Sequence, residues 1–255
     1  MTVPFKVYVL SLFPQDMQRY FLKGIMAKAV SRELVDLSFI DLREFSELPH
    51  RSVDDYPVGE RLGMLLRVDV IAAAIRSIPS YQDYEMLCPC PKGALFDQSK
   101  ALGFSKHPKG LIFLCGYYEG IDERVFSLFP FQRLSMGDMV LSSGELPTLL
   151  MMDAVLRLIP GVLGNPESVE ADSFSDGLLE HPHYTKPLTF EGCEVPAVLS
   201  SGHHQKIQDW KFYHSLRYTL YTRPDLVARM SLTEGQQRVL KQVVKAEEPT
   251  DDEYN

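Results

Sequence analysis

The sequence predicts an α/β protein built on a mainly parallel sheet, followed by a small helical second domain. Strand-like and helix-like stretches alternate through the first two thirds, the rhythm of strand–helix–strand units lying parallel. Beyond residue 196 that rhythm gives way to long helical patterns in which basic and aromatic side chains interleave. With 255 residues, 45% apolar and 24% charged, the chain is long enough to bury a sizeable core.

Phe5 to Phe13 reads as a buried strand, Gln15 to Arg32 as a helix and Val35 to Ile40 as a second strand. A polar loop covers Arg43 to Gly63, and Met64 to Ile78 reads as a helix. Tyr84 to Cys88, Leu111 to Cys115 and Gln132 to Ser135 are short buried strands, with helices at Asp97 to Leu102 and Ile121 to Leu128 between them. Pro147 opens another helix, where a missing amide hydrogen costs least. From Pro160 to Pro196 repeated Gly, Pro and Ser dissolve the pattern over a stretch longer than most connections, which marks a functional segment or a linker. Gln205 to Thr222 and Pro224 to Val244 are helical. The expected organisation is therefore a domain over 1–160, an interdomain loop over 161–196, a helical domain over 197–246 and an acidic tail over 247–255.

A net charge of −8 argues against gripping nucleic acid by bulk electrostatics and leaves shape-specific RNA binding open. Five of the 34 acidic residues sit in the tail, at Glu247, Glu248, Asp251, Asp252 and Glu253, whereas Lys206, Lys211, Arg217, Arg223 and Arg229 make the preceding region locally basic. The four cysteines are spaced too irregularly for a disulfide framework, and Cys88 and Cys90 read as thiols on a strand. His181, His183, His203 and His204 have no partner cluster and read as loop residues, so no metal ligands are assigned. The most apolar helix, Pro147 to Pro160, carries Asp153 and Arg157 and falls short of the ~18 apolar residues a membrane span needs. Met1 to Leu12 lacks a basic leader and cleavage site, which places the expectation in the cytoplasm, with no membrane partner. GxGxxG and GxxxxGK[ST] are absent from the sequence.

Nine segments stand in order over nearly the full length: SLFP (11–14), RSVDDYP (51–57), PKGALFDQ (91–98), CGYYEGIDERV (115–125), GDMVLSSGELP (137–147), RLIPGVLG (157–164), DSFSDGLLEHPHYTKP (172–187), VPAVLSSGHH (195–204) and RPDLV (223–227). Together they resemble the bacterial tRNA (guanine-N1) methyltransferases. The resemblance implies a deep trefoil knot in the N-terminal domain, a rare exception to unknotted topology, a tRNA-binding helical C-terminal domain, and a homodimer with each active site built from both chains. It implies S-adenosylmethionine as methyl donor and tRNA as substrate, with Mg²⁺ as a possible requirement, and methylation of the guanosine immediately 3′ of the anticodon.

By the same resemblance the cofactor meets Pro91, Gly116, Met136, Gly137, Asp138, Met139, Val140, Leu141, Gly144 and Pro147. The residue types suit the task, since Gly116, Gly137 and Gly144 permit close backbone approach and Met136, Met139, Val140 and Leu141 can wall an adenine. Guanine N1 carries a proton at neutral pH, so methyl transfer needs a general base and a stabiliser for charge developing on O6. The resemblance makes Asp172 the base; the competing reading of a lone loop Asp is a turn former or helix cap. Arg157 is the second catalytic candidate, orienting that carboxylate or donating to O6, although Asp153 lies four residues earlier on the same helical face and could pair with it. Glu119 matches a position near the target base, with an N-capping or salt-bridged role as the alternative.

Two departures stand out. The family's glycine-rich loop runs here as Val58, Gly59, Glu60, Arg61, Leu62, Gly63, Met64, and Tyr117 stands where an arginine is usual, leaving Arg61 as a source of the lost charge. Two other readings fit part of the pattern: a knotted RNA methyltransferase with another target, or a catalytically silent homologue that binds RNA or cofactor.

Overall fold

The computed structural model describes residues 3–59, 63–164 and 172–246. The chain divides into two compact units, Met1–Pro166 and Glu167–Asn255. The first carries β1 (Phe5–Ser11), α1 (Pro14–Tyr20), α2 (Gly24–Ser31), β2 (Val35–Asp41), β3 (Asp54–Asp55), β4 (Leu65–Leu66), α3 (Val68–Arg76), β5 (Glu85–Leu95), α4 (Gln98–Ser105), β6 (Gly110–Leu114), α5 (Arg124–Leu128), β7 (Gln132–Ser135) and α6 (Glu145–Leu156). Five strands form one sheet in the order β2-β1-β6-β5-β7, and every neighbouring pair is parallel.

Alternation along the strands explains the layers. Val7, Val9, Leu111 and Phe113 enter a core with Met17, Met26, Ala101, Met151 and Val155 from α1, α2, α4 and α6. Their neighbours Leu10, Ile112 and Leu114 pack instead with Ile71, Ile75 and Val125 from α3 and α5. β6 is buried at every residue, as a central parallel strand covered on both faces must be.

Several expected elements differ, each for a local reason. The helix expected over 15–32 is split into α1 and α2 by a turn in which the Phe21 amide donates to the Gln18 carbonyl, 3.0 Å away and only three residues back. The helix expected from Met64 begins at Val68, because the Leu66 amide is taken by the Gly120 carbonyl and the Arg67 amide by the Val53 carbonyl. Leu65 and Leu66 become β4, antiparallel to β3. β5 outruns its expected end at Cys88: it pairs with β6 over Glu85–Leu87, then with β7, with a register shift between Pro89 and Ala94. Pro89 and Pro91 have no amide to donate, and an irregular ladder accommodates them. The helix expected over 121–128 shrinks to α5, since Ile121 bridges Leu66 as extended chain. The helix expected to open at Pro147 opens two residues earlier, at Glu145.

Among its described residues the second unit holds a short hairpin, β8 (Thr189–Phe190) with β9 (Cys193–Glu194), and the helices α7 (His204–Thr222), α8 (Pro224–Arg229) and α9 (Glu234–Lys245). The single helix expected over 224–244 is interrupted because Thr233 starts a new one, closing a reciprocal capping box with Gln236. Leu178 is buried with Leu216, Val227 and Val243, and the Leu179 amide donates to the Thr219 hydroxyl at 2.8 Å, so this part of the long loop packs on the helices. Glu60, Arg61, residues 165–171 and the acidic tail lie outside the described residues. No described helix is long and apolar enough to cross a membrane.

Candidate active site

In a parallel sheet, ligands sit outside the carboxyl ends of the strands, where the chain leaves toward opposite neighbours. Here a cleft of about 590 Å³ opens at the ends of β5, β6 and β7, within the ~300–1,000 Å³ usual for small-molecule sites. Of the residues expected at the cofactor, Pro91, Gly116, Met136, Gly137, Met139, Val140, Leu141, Gly144 and Pro147 line it. Asp138, between two of them, is exposed and does not.

The cleft is shaped by backbone. The Gly144 amide donates to the Gly116 carbonyl at 2.7 Å, and a Cβ on Gly144 would stand 2.5 Å from the Gly116 nitrogen and 2.9 Å from the Cys115 Cα. Only hydrogen fits there, so the loops after β6 and β7 press together main chain to main chain. Ser135 Oγ accepts from the Gly137 amide at 3.1 Å and fixes the start of the second loop. That loop then exposes three consecutive apolar residues, Met139, Val140 and Leu141, with Val140 at 89%. An apolar rim on a ligand-sized hollow is costly unless something covers it.

On the opposite wall Arg133 pairs with Glu123 and lies 3.7 Å from the Phe126 ring centroid. Glu119 enters with its amide donating to the Met64 carbonyl at 3.0 Å. Tyr117, at the arginine position, packs edge-on against Phe13 and Tyr118, with centroids at 5.2 and 4.8 Å. Beneath the cleft, fully buried Ser11 donates to Glu145 Oε1 at 2.7 Å and accepts from the Phe13 amide at 2.8 Å. Glu145 occupies the first turn of α6, where the helix dipole favours a carboxylate. Burial pushes the Cys88 thiol up to about 12, and burial together with the nearby Glu145 charge pushes Cys115 well above its ordinary value. Neither thiol is a nucleophile at neutral pH.

The three catalytic candidates come from different segments of the chain. Glu119 lines the cleft, whereas Arg157 lines a second cavity of the same unit, about 270 Å³, with Tyr20, Lys23 and Asp153. The Tyr20 hydroxyl donates to Asp153 at 3.3 Å, and the aspartate's charge raises the pKa of that hydroxyl. Asp172 belongs to the second unit, half-buried, its carbonyl accepting from the Ser175 amide at 3.2 Å. Among the described residues no group of three or more His, Cys, Asp or Glu is placed to hold a metal ion.

Sequence reasoning missed Leu65, Tyr118, Arg133, Ser142 and Ser143 in the cleft wall. The two serines lie inside the 137–147 segment and were within reach of it; Leu65 is carried there by its neighbours Met64 and Leu66, which bond to residues 119–121 over fifty residues away, a link no local pattern reveals.

Fold and cleft together define a parallel α/β protein with a ligand-sized cleft beside its sheet. Residues 5–229 match the family described as tRNA (Guanine-1)-methyltransferase TrmD. The tRNA (guanine-N(1)-)-methyltransferase of Desulfitobacterium hafniense (strain Y51) is 44% identical over 241 residues, covering 94% of this chain and 91% of that protein. The protein of the same name from Shouchella clausii (strain KSM-K16) is 44% identical over 245 residues, with 95% and 100% covered. That from Dictyoglomus turgidum (strain DSM 6724 / Z-1310) is 41% identical over 240 residues, with 94% and 97% covered. The chain belongs to the tRNA (guanine-N1) methyltransferase family and is an enzyme of that class.

Proposed function

We propose that the chain methylates N1 of the guanosine immediately 3′ of the anticodon in tRNA, with S-adenosylmethionine held in the cleft at the ends of β5, β6 and β7. The observation that carries this reading is the cleft: ligand-sized, floored by close-packed backbone at Gly116 and Gly144, and rimmed by exposed apolar residues. When bound, the cofactor supplies a methyl group on a positively charged sulfur. Met136, Val140 and Leu141 offer its adenine an apolar wall, and the polar lining at Ser135, Ser142 and Ser143 offers hydrogen bonds.

The chain's own work concerns the guanine proton. Asp172 accepts it from N1, Arg157 holds that carboxylate in place or donates to O6, and Glu119 takes the guanine edge. A trefoil-knotted topology fits the backbone contact between the loops after β6 and β7. The helical unit grips tRNA through Lys206, Lys211, Arg217 and Arg223, and the enzyme works in the cytoplasm.

The working form we propose is a homodimer. α6 is apolar nearly all round, and such a helix needs cover on both sides. One side fills the core, while Leu146 and Leu150 stay about half exposed, and Asp153 and Arg157 continue their stripe. Tyr20, bonded to Asp153, extends the apolar patch with Leu22 and Ile25. A second copy covering this patch hands Arg157 to its partner's cleft, which accounts for its distance from the cofactor residues.

Single-turnover transfer of labelled methyl from S-adenosylmethionine to an unmodified tRNA transcript, with mapping of the product, tests the reading. Asp172→Asn should lower the rate about 10²- to 10⁴-fold, with partial rescue as pH approaches the ionisation of guanine itself. Cofactor affinity measured by calorimetry should stay unchanged. Label on another base rejects the target, and near-wild-type turnover of Asp172→Asn rejects the base.

A further inference from the structure

Trp210 is the chain's only tryptophan, yet it stands outside the hydrophobic core of the second unit. It packs among imidazoles instead. His214 lies against it with ring centroids 4.2 Å apart and planes 37° from parallel. His181 and Tyr184 meet it at 6.2 and 6.3 Å, and His183 stacks on His181 at 4.4 Å and 38°. The segment around Pro182 and one stripe of α7, Lys206, Trp210 and His214, thus gather five flat rings into one cluster centred on Trp210. The outer rings are open to solvent, His183 with 66% of its side chain and Tyr184 at 47%. Burial, together with the neighbouring His183 and Lys211, lowers the His181 pKa, so this imidazole of the cluster is uncharged at neutral pH.

We propose that the exposed rings of this cluster are a stacking surface for an unpaired base of the tRNA substrate. The inference rests on the reading of the helical unit as the part that holds RNA, and adds the group recognised and the residues that recognise it. An unpaired base presents two bare π-faces, whereas duplex RNA buries them, so exposed planar rings match a loop nucleotide. Interleaved cations complete the match: Lys206 sits one turn before Trp210 and Lys211 directly after it, where backbone phosphates flanking a stacked base are within reach of a long side chain. A protein partner would gain little from rings whose outermost member is a histidine in ion-pair distance of Glu180, 3.4 Å away.

The full-length protein and an unmodified tRNA transcript test this. Emission from Trp210 should be quenched as tRNA is added. Tyr184→Ala and His183→Ala change exposed positions and should keep the melting temperature. They should weaken tRNA binding about 5- to 150-fold, the range for losing one base–aromatic stack, with S-adenosylmethionine affinity unchanged. Stacking releases no counterions, so the slope of log affinity against log salt should stay as in the wild type. Lys206→Ala and Lys211→Ala should each lower that slope by about 0.7 to 0.9. Wild-type affinity in both ring variants, with weakened lysine variants, overturns the stack and leaves the RNA-holding unit standing. Wild-type affinity in all four overturns both. Loss of affinity that tracks a fall in melting temperature assigns the rings to folding and likewise overturns the proposal.

Discussion

Gly63 is the position where a single methyl group tests how the cleft is set. Its φ is +78°, and a Cβ there would lie 2.2 Å from Glu119 Cγ and 3.0 Å from its carboxyl carbon. Alanine pays about 1–2 kcal/mol for the left-handed backbone. The larger consequence is displacement: ordinary contact begins near 3.4 Å, so the Glu119 side chain must retreat by more than an ångström. A glutamate can change rotamer cheaply, so the stability loss of Gly63→Ala should stay near the backbone cost. Activity should suffer more, because a misplacement of about 1 Å at a catalytic constellation costs up to about 10²-fold. The assay is kcat/KM for methyl transfer in four proteins: wild type, Gly63→Ala, Glu119→Ala and the double variant. With only a Cβ left at position 119 the clash disappears, so Gly63→Ala should cost little further activity in the Glu119→Ala background. Equal fold-losses in both backgrounds would refute the reasoning and reduce Gly63 to a backbone hinge.

Three further outcomes follow from the same geometry. Ser11→Ala removes the hydroxyl that serves both Glu145 and the Phe13 amide, leaving a buried carboxylate short of a donor, and should cost about 3 kcal/mol in urea unfolding; a loss under ~0.5 kcal/mol would mean that water takes its place. Thiol titration at pH 8 should label exposed Cys193 first and half-buried Cys90 more slowly, with Cys88 and Cys115 reacting only on unfolding; early labelling of Cys115 would contradict the packing beneath the cleft. Because the folded pKa of His181 is lowered, the unfolded chain binds more protons between that lowered value and ~6.5, so stability should rise with pH across this window and level off above it. His181→Gln should flatten that rise, and an unaltered profile would place the titration elsewhere.

The layers of the fold were legible because they follow from local periodicity. Alternation along Phe5–Ser11 and Gly110–Leu114 sends successive side chains to opposite cores, and a fully buried strand announces itself as an unbroken apolar run. What stayed hidden depends on partners distant in sequence. Leu65 and Leu66 carry the same helical pattern as the residues after them, but Gly120 claims the Leu66 amide and makes the pair a strand. β5 runs on past Cys88 because β7 offers it a ladder, and nothing in CPCPKGAL states that offer. The breaks after Tyr20 and Arg229 were hidden for a different reason: hydrophobic spacing continues across them, and the interruption lies in hydrogen bonds made three residues back and in a threonine cap.

The cleft was more legible than the chemistry around it, and the reason is spatial. Residues 115–120 and 136–144 are separate in sequence but each is a compact loop at a strand end, so two motifs suffice to outline one hollow. Arg157 and Asp172 have no such economy. Arg157 ends the α6 stripe that begins with exposed Leu146 and Leu150, and its meaning depends on what covers that stripe. If a second copy does, replacing Leu150 by Asp should separate the copies in sedimentation and abolish methyl transfer together, while leaving S-adenosylmethionine binding intact, since the cleft lies within one unit. Binding lost with the dimer would show that the cofactor site too is completed by the partner. Activity retained by a monomer would remove Arg157 from the reaction and leave it the structural role of a partner for Asp153 on the same helix.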